Sequence, residues 1–211
     1  MDTTYFGRKF GVMLFKDALT GTNLHKQYVR YETNQLYAQG VYTLREKGFK
    51  ILAAVCDGRR GLIRLLGDIP IQMCQFHQVA IVTRYLTRKP KLDAGKELRT
   101  LTLMLTKTDK ESFVGGLHDW YEKWHLFLNE RSVNKETGST RYTHKNLRSA
   151  YRSLKTNLPW LFTWYDNPEI KIPNTTNAID GHFADMKNKL RNHNGLTEGR
   201  KKRFIDEFLK V

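Results

Sequence analysis

The stretch PNTTNAIDGHFADMKNKLRNHNGL, residues 173–196, places a carboxylate and several cations at helical spacing. Ile179, Phe183, Met186 and Leu190 form one apolar stripe, and Asp180, Lys187 and Arg191 fall on the stripe beside it. An acid at the rim of a core, with cations running away from it, suits a metal ion held beside a phosphate backbone. A local reading stands next to it, with Asn177 as a helix N-cap and Asp180 as its N3 partner in a variant capping box. Asp2 and Asp57 are the candidate partner acids. Magnesium takes oxygen ligands and binds through few carboxylates plus substrate phosphates. Two such ions roughly 3.5–4 Å apart can activate an attacking hydroxyl and stabilise the leaving oxygen of an in-line displacement. Taken singly, Asp57 is also explained by an Asp-Gly turn capping the next helix, and Asp2 by its terminal position.

Cys74 and His77, in MCQFHQV, have the Cys-x-x-His spacing of two zinc ligands. A structural zinc site needs four, and no second pair at comparable spacing supplies them. The expectation is therefore a buried cysteine beside a histidine that hydrogen-bonds or touches substrate near the acids. Arg141, Lys145, Arg148, Arg152 and Lys155 recur at i, i+4, i+7, i+11 and i+14, so a single helix would present all five with no acid among them. Solvated helix faces normally mix signs, because like charges at i, i+4 repel. Phosphate contact that does not read base sequence is the expectation here. The run Arg200 to Arg203 could do the same, or cap the electronegative end of a helix.

The elements that must position these residues can be read from periodicity. TTYFG, KFGVMLFKDAL and LHKQYVRY alternate and are separated by glycines, which predicts a three-strand meander. Thr33 caps a helix that closes at Gly48. KILAAVCDG reads as a strand covered on both faces, Arg59 to Gly67 as a short helix, IPIQMCQFH as another buried strand, and VAIVTRYLT as a helix ending before Pro90. That order is the order of a ribonuclease H-like fold, an α/β arrangement with a mixed sheet. It would put Asp2 on the first strand and Asp57 at the end of the fourth. From Lys91 to about Trp164 the period is helical throughout, interrupted by the polar loop SVNKETGST. The chain thus divides into residues 1–90 as the first part of the core, 91–170 as a helical insertion, and 171–211 as closing helices that carry the third acid.

Composition narrows the partners. With 211 residues the chain suits one core with an elaboration. Lys and Arg number 36 against 21 acids, a net charge of +15, which points to a polyanion and first of all to nucleic acid. Eleven Phe, ten Tyr and four Trp exclude a disordered basic tail. Two cysteines exclude a disulfide scaffold and favour an intracellular compartment. No apolar run is long enough to span a bilayer, so no membrane partner is expected, and no secretory signal is seen.

DTTYFG, CDGRRGL, MCQFH, PNTTNAID and LRNHNGL, in that order, resemble the catalytic domains of bacterial insertion-sequence transposases related to the Mutator-like superfamily, over nearly the whole chain. The resemblance implies a ribonuclease H-like core with an Asp-Asp-Glu triad, Mg2+ or Mn2+ as cofactor, and DNA as partner, both transposon ends and target. It implies a triad of Asp2, Asp57 and Asp180 for catalysis and metal binding, with Cys74 and His77 near the site. Asp180 stands where the family has Glu, about one methylene shorter. The family's region that recognises element ends would precede Asp2. The expected function is metal-dependent strand cleavage and strand transfer, in a bacterial cytoplasmic, nucleoid-associated protein that forms a homo-oligomer in a synaptic complex. A truncated, inactive DNA-binding remnant and a ribonuclease H-like nuclease are the alternatives.

Overall fold

The computed structural model describes residues 1–211, the side chain of Arg60 excepted. Gly7 and Gly21, at φ of 66° and 72°, close the turns of an antiparallel meander. Its strands are β1 (Asp2–Phe6), β2 (Phe10–Lys16) and β3 (Asn23–Val29), with Asp2 opposite Leu14 and Gly11 opposite Val29. The two-residue period of β2 divides its side chains between two cores. Met13 and Phe15 pack with Tyr37, Val41 and Leu44 of α1 (Asn34–Glu46), whereas Phe10, Val12 and Leu14 face the other way. Thr33 caps α1 by accepting from the Leu36 amide at 3.2 Å. A Cβ on Gly40 would fall 2.1 Å from the Phe15 ring, so only glycine permits this approach of helix to sheet.

The next elements are β4 (Ala54–Cys56), α2 (Arg60–Leu65), β5 (Ile71–Met73) and α3 (Gln75–Leu86), with β4 and β5 parallel. IPIQMCQFH is thus a strand for three residues only. The Cys74 amide donates to Cys56 O at 2.8 Å, closing the ladder, and Cys74 O accepts from the Gln78 amide at 3.2 Å, opening the helix. An apolar run cannot tell a buried strand from a buried helix end, and His77 consequently lies in a first helical turn. The strands do not form one mixed sheet. They form a three-stranded antiparallel sheet and a two-stranded parallel one, which meet where the Met1 nitrogen donates to Val55 O at 3.0 Å.

Helices α4 (Asp93–Met104), α5 (Lys110–Asn129), α6 (Lys145–Leu161) and the short α7 (Thr163–Asp166) enclose a core that includes Leu98, Phe113, Trp120, Leu154 and Phe162. The polar loop between α5 and α6 is a hairpin, β6 (Arg131–Val133) with β7 (Thr140–Tyr142), so this region is not wholly helical. Asn134 Oδ1 accepts from the Glu136 amide at 2.9 Å and Gly138 adopts φ 66°, which together make the turn. A buried amide network fastens this helical part to the strands. Gln72 and Gln75 both donate to Leu161 O, at 2.9 and 2.8 Å, satisfying a carbonyl at the end of α6. Gln72 Oε1 accepts from the Trp164 amide at 2.9 Å, and Asn157 donates to Gln78 Oε1 at 2.8 Å.

After a 3₁₀ turn at Pro168–Ile170 the chain closes with α8 (Asn177–Arg191) and α9 (Glu198–Leu209). The stripe Ile179, Phe183, Met186 and Leu190 is buried against Phe10, Val12 and Leu14, each burial contributing roughly 1.5–3 kcal/mol. The meander therefore has helices on both faces, and α8 runs beside β1.

Candidate active site

Three acids come from three elements. Asp2 opens β1, Asp57 follows the last residue of β4, and Asp180 lies in the first turn of α8. The bend after Asp57 requires glycine, since Gly58 has φ 81° and a Cβ there would meet Met73 Sδ at 2.4 Å. Asp2 is 8% exposed and its Oδ1 accepts from the Thr3 amide at 2.7 Å. Burial, then the negative charge of Asp57, and more weakly that of Asp180, push Asp2 up to about 7 despite that bond. Burial likewise raises Asp57, against the opposing pull of His77.

Cys74 and His77 sit between the acids. His77 Nδ1 faces Asp57 Oδ1 at 3.2 Å. On the other side the Cys74 sulfur accepts from the Thr176 amide at 3.3 Å. The Thr176 hydroxyl is within donating distance of both Cys74 Sγ, at 3.3 Å, and Asp180 Oδ2, at 3.2 Å. Polar contacts thus run from Asp57 to His77 on one side, and from Cys74 through Thr176 to Asp180 on the other. Interaction with the Cys74 thiol, opposed by burial and aided by Asp57, raises His77 to about 9. For Cys74, burial alone would raise the thiol; the interactions with His77 and Thr176 outweigh it and hold the thiol below its ordinary value.

The capping box at Asn177, the local alternative for Asp180, is not formed. Thr176 is the N-cap, Asn177 is already helical, and the Asp180 carboxylate bonds the Thr176 hydroxyl rather than a backbone amide. Several neighbours of the acids carried no sequence signal. Glu32 raises Asp57 through its charge, and it is itself held by Arg59 Nη1 at 3.1 Å and by the Tyr37 hydroxyl at 2.7 Å. Tyr37 also meets Thr3 Oγ1 at 2.9 Å, beside Asp2. These residues lie far apart in sequence on β1, the β3–α1 connection, α1 and the β4–α2 turn, so no spacing connects them.

A cleft of about 450 Å³ contains Asp2 and Asp180 together with Lys187 and Arg191. In kind, the donors suit a hard divalent cation, being carboxylates whose repulsion at Asp2 is offset only in part, by the Thr3 amide and the Met1 amino group. In position they are not preassembled: among the described residues, no three His, Cys, Asp or Glu groups surround one point closely enough to hold an ion.

The basic stripe is redistributed. Arg141 lies in β7, and α6 begins only at Lys145, because the β-branched and aromatic residues Thr140 and Tyr142 extend the chain into the hairpin. Arg148 donates to Leu128 O and Asn129 Oδ1, both at 2.8 Å, and its guanidinium stacks 3.6 Å from the centre of the Tyr142 ring. It is a structural clamp between α5 and α6. Lys145, Arg152 and Lys155 remain exposed on α6. The Arg200 to Arg203 run occupies the start of α9, so it does not cap a helix C-terminus. Among the described residues no helix is long and apolar enough to cross a membrane. The chain matches no protein-family model, no curated protein sequence and no solved structure.

Proposed function

We propose that the chain is a divalent-metal-dependent DNA strand-cleaving and strand-transferring domain of ribonuclease H-like kind, similar to the insertion-sequence transposases whose motifs it resembles. The observation that carries this reading is the cleft in which the buried Asp2 and the half-buried Asp180 lie beside Lys187 and Arg191. A cation relieves the repulsion of a carboxylate pair, and cleavage of a phosphodiester is aided by both a cation and basic side chains. Asp2, Asp57 and Asp180 would hold the metal. When bound, Mg2+ or Mn2+ would supply a polarised nucleophile and stabilise the leaving oxygen. Lys187 and Arg191 would bind the phosphates flanking the scissile bond, without reading base sequence. His77 keeps Asp57 oriented through their ion pair, and Thr176 keeps Asp180 oriented through its hydroxyl.

The test is strand cleavage of supercoiled or nicked DNA with Mn2+ or Mg2+, comparing the parent with Asp57→Asn and Asp180→Asn. Cleavage by the parent and its loss in both variants is the expected result. DNA binding without cleavage under any divalent ion would leave the binding-remnant reading in place, and cleavage at the parent rate by Asp180→Asn would remove that residue from the mechanism.

A further inference from the structure

Beside the carboxylate cleft lies a larger groove of about 760 Å³. One wall is the turn from β1 to β2. The other is the end of α8, the loop to α9 and the first turn of α9. Lys187 and Arg191 line both spaces, which therefore adjoin along α8.

Arg8, Lys9, Lys187, Arg191 and Lys201 line the groove, and among the described residues none of the five stands in an ion pair. Their neighbours on the same helices do: Lys189 pairs with Asp185 at 3.0 Å and Lys202 with Glu198 at 2.8 Å. The acid on the groove wall, Glu198, is paired with Lys202 and also feels the charge of Lys9, leaving cations in excess along the groove. Between the cations the floor is aromatic. Phe6 stacks on Phe10 with ring centres 5.2 Å apart, Lys187 Nζ stands 5.8 Å over the Phe6 ring, and Tyr5 is 37% exposed at the rim. Unpaired cations around a half-buried ring, with the exposed Tyr5 at its rim, are a combination that suits single strands, with phosphates on the cations and a base against the aromatic edge.

We propose that this groove binds a segment of single-stranded nucleic acid and leads it along α8 to the carboxylate cleft, an inference that rests on the nucleic-acid reading of that cleft. From Asp180 to Arg191 the helix rises ~16 Å at about 1.5 Å per residue. That length matches about four or five phosphates at the 3.4 Å axial step of one duplex strand, and fewer of an unstacked single strand, whose phosphates lie farther apart. Paired bases keep their faces stacked on one another, so an aromatic floor favours an unpaired strand over a duplex.

The experiment is fluorescence anisotropy in EDTA, with a labelled short oligothymidylate and a duplex of the same length, across a salt series. Arg8→Ala/Lys9→Ala alters two exposed turn residues. It should weaken single-strand binding about tenfold and flatten log K against log salt by roughly 0.7 per lost contact. Phe6→Leu should weaken single-strand binding and leave duplex binding unchanged. Unchanged affinity and slope in the double variant overturns the groove, and equal losses for both probes in Phe6→Leu overturn its preference for single strands. Asp180→Asn separates the two readings. If it and the parent both bind the oligothymidylate through Arg8 and Lys9 but the parent never cleaves DNA, the groove stands and the cleavage reading falls. A parent that cleaves while the groove variants behave normally has the opposite meaning.

Discussion

Asp57 Oδ1 and His77 Nδ1 stand 3.2 Å apart, yet neither atom has a hydrogen bond of good alignment. The pair is a charge contact, held by the end of β4 and the first turn of α3. His77→Gln removes that charge. It should lower metal-dependent cleavage by at least tenfold while the thermal midpoint moves only a few degrees, read by calorimetry on the same preparation. Full activity in His77→Gln would detach the histidine from the acids.

Asp2 makes stability depend on pH in a definite sense. Its folded value, about 7, lies above the ordinary 3.8, so between those values the folded chain holds a proton that the unfolded chain has released. Stability is therefore greatest at low pH for this group and falls as pH rises through that window, with a slope of at most about 1.4 kcal/mol per pH unit. Asp2→Asn should flatten the fall in urea titrations between pH 4 and about 7. His77 acts in a second window. Raised to about 9 from 6.5, its contribution is complete below 6.5 and is lost as pH passes through 9.

Divalent ions should reverse the first effect, because a cation favours the charged carboxylates. Millimolar Mn2+ is expected to raise the thermal midpoint at pH 8 more than at pH 5, by mass action on the folded state. Asp57→Asn should remove most of that gain. An equal gain at both pH values would place the ion elsewhere.

Thr176→Val deletes the hydroxyl that faces Cys74 and Asp180 while keeping the shape of the side chain. Loss of one buried bond should cost about 1 kcal/mol in denaturant titration. Cleavage should fall more than stability does, because the third acid loses its nearest donor.

Arg148→Ala is expected to leave the salt dependence of DNA binding unchanged and to destabilise the fold by about 2 kcal/mol, since it removes bonds to a helix-end carbonyl and a stacked ring. A flattened salt slope would return Arg148 to the phosphate contacts.

The meander was legible because glycines punctuate short runs rich in Val, Phe and Tyr, and Asp57 because an apolar run ended on Asp-Gly. α8 was legible through Ile179, Phe183, Met186 and Leu190. The Cys74–His77 pair was visible, but its helical setting was not, because MCQFH has no period of its own. Arg141 was misplaced for a related reason: a short strand running into a helix can keep cations at helical intervals. Glu32 and Tyr37 were invisible because tertiary packing alone brings them to the acids, and Thr176, though only four residues from Asp180, because its contact with Cys74 is tertiary. The groove as a whole escaped notice because, beyond Lys187 and Arg191, its cations come from two segments unrelated in sequence, Arg8 and Lys9 from the β1–β2 turn and Lys201 from α9.

The first turn of α3 has a mechanical consequence. Cys74 and His77 point to the acids, while Gln75 and Gln78, interleaved with them, grip the end and middle of α6. One helical turn is thus bolted at both sides, with no compliant linker between the helical bundle and the carboxylates. Force applied to α6 reaches His77 and Cys74 without slack. Since a displacement near 1 Å at a reacting centre can change a rate about a hundredfold, the stiffness of this joint makes the distant bundle part of the tolerance to which the site is built.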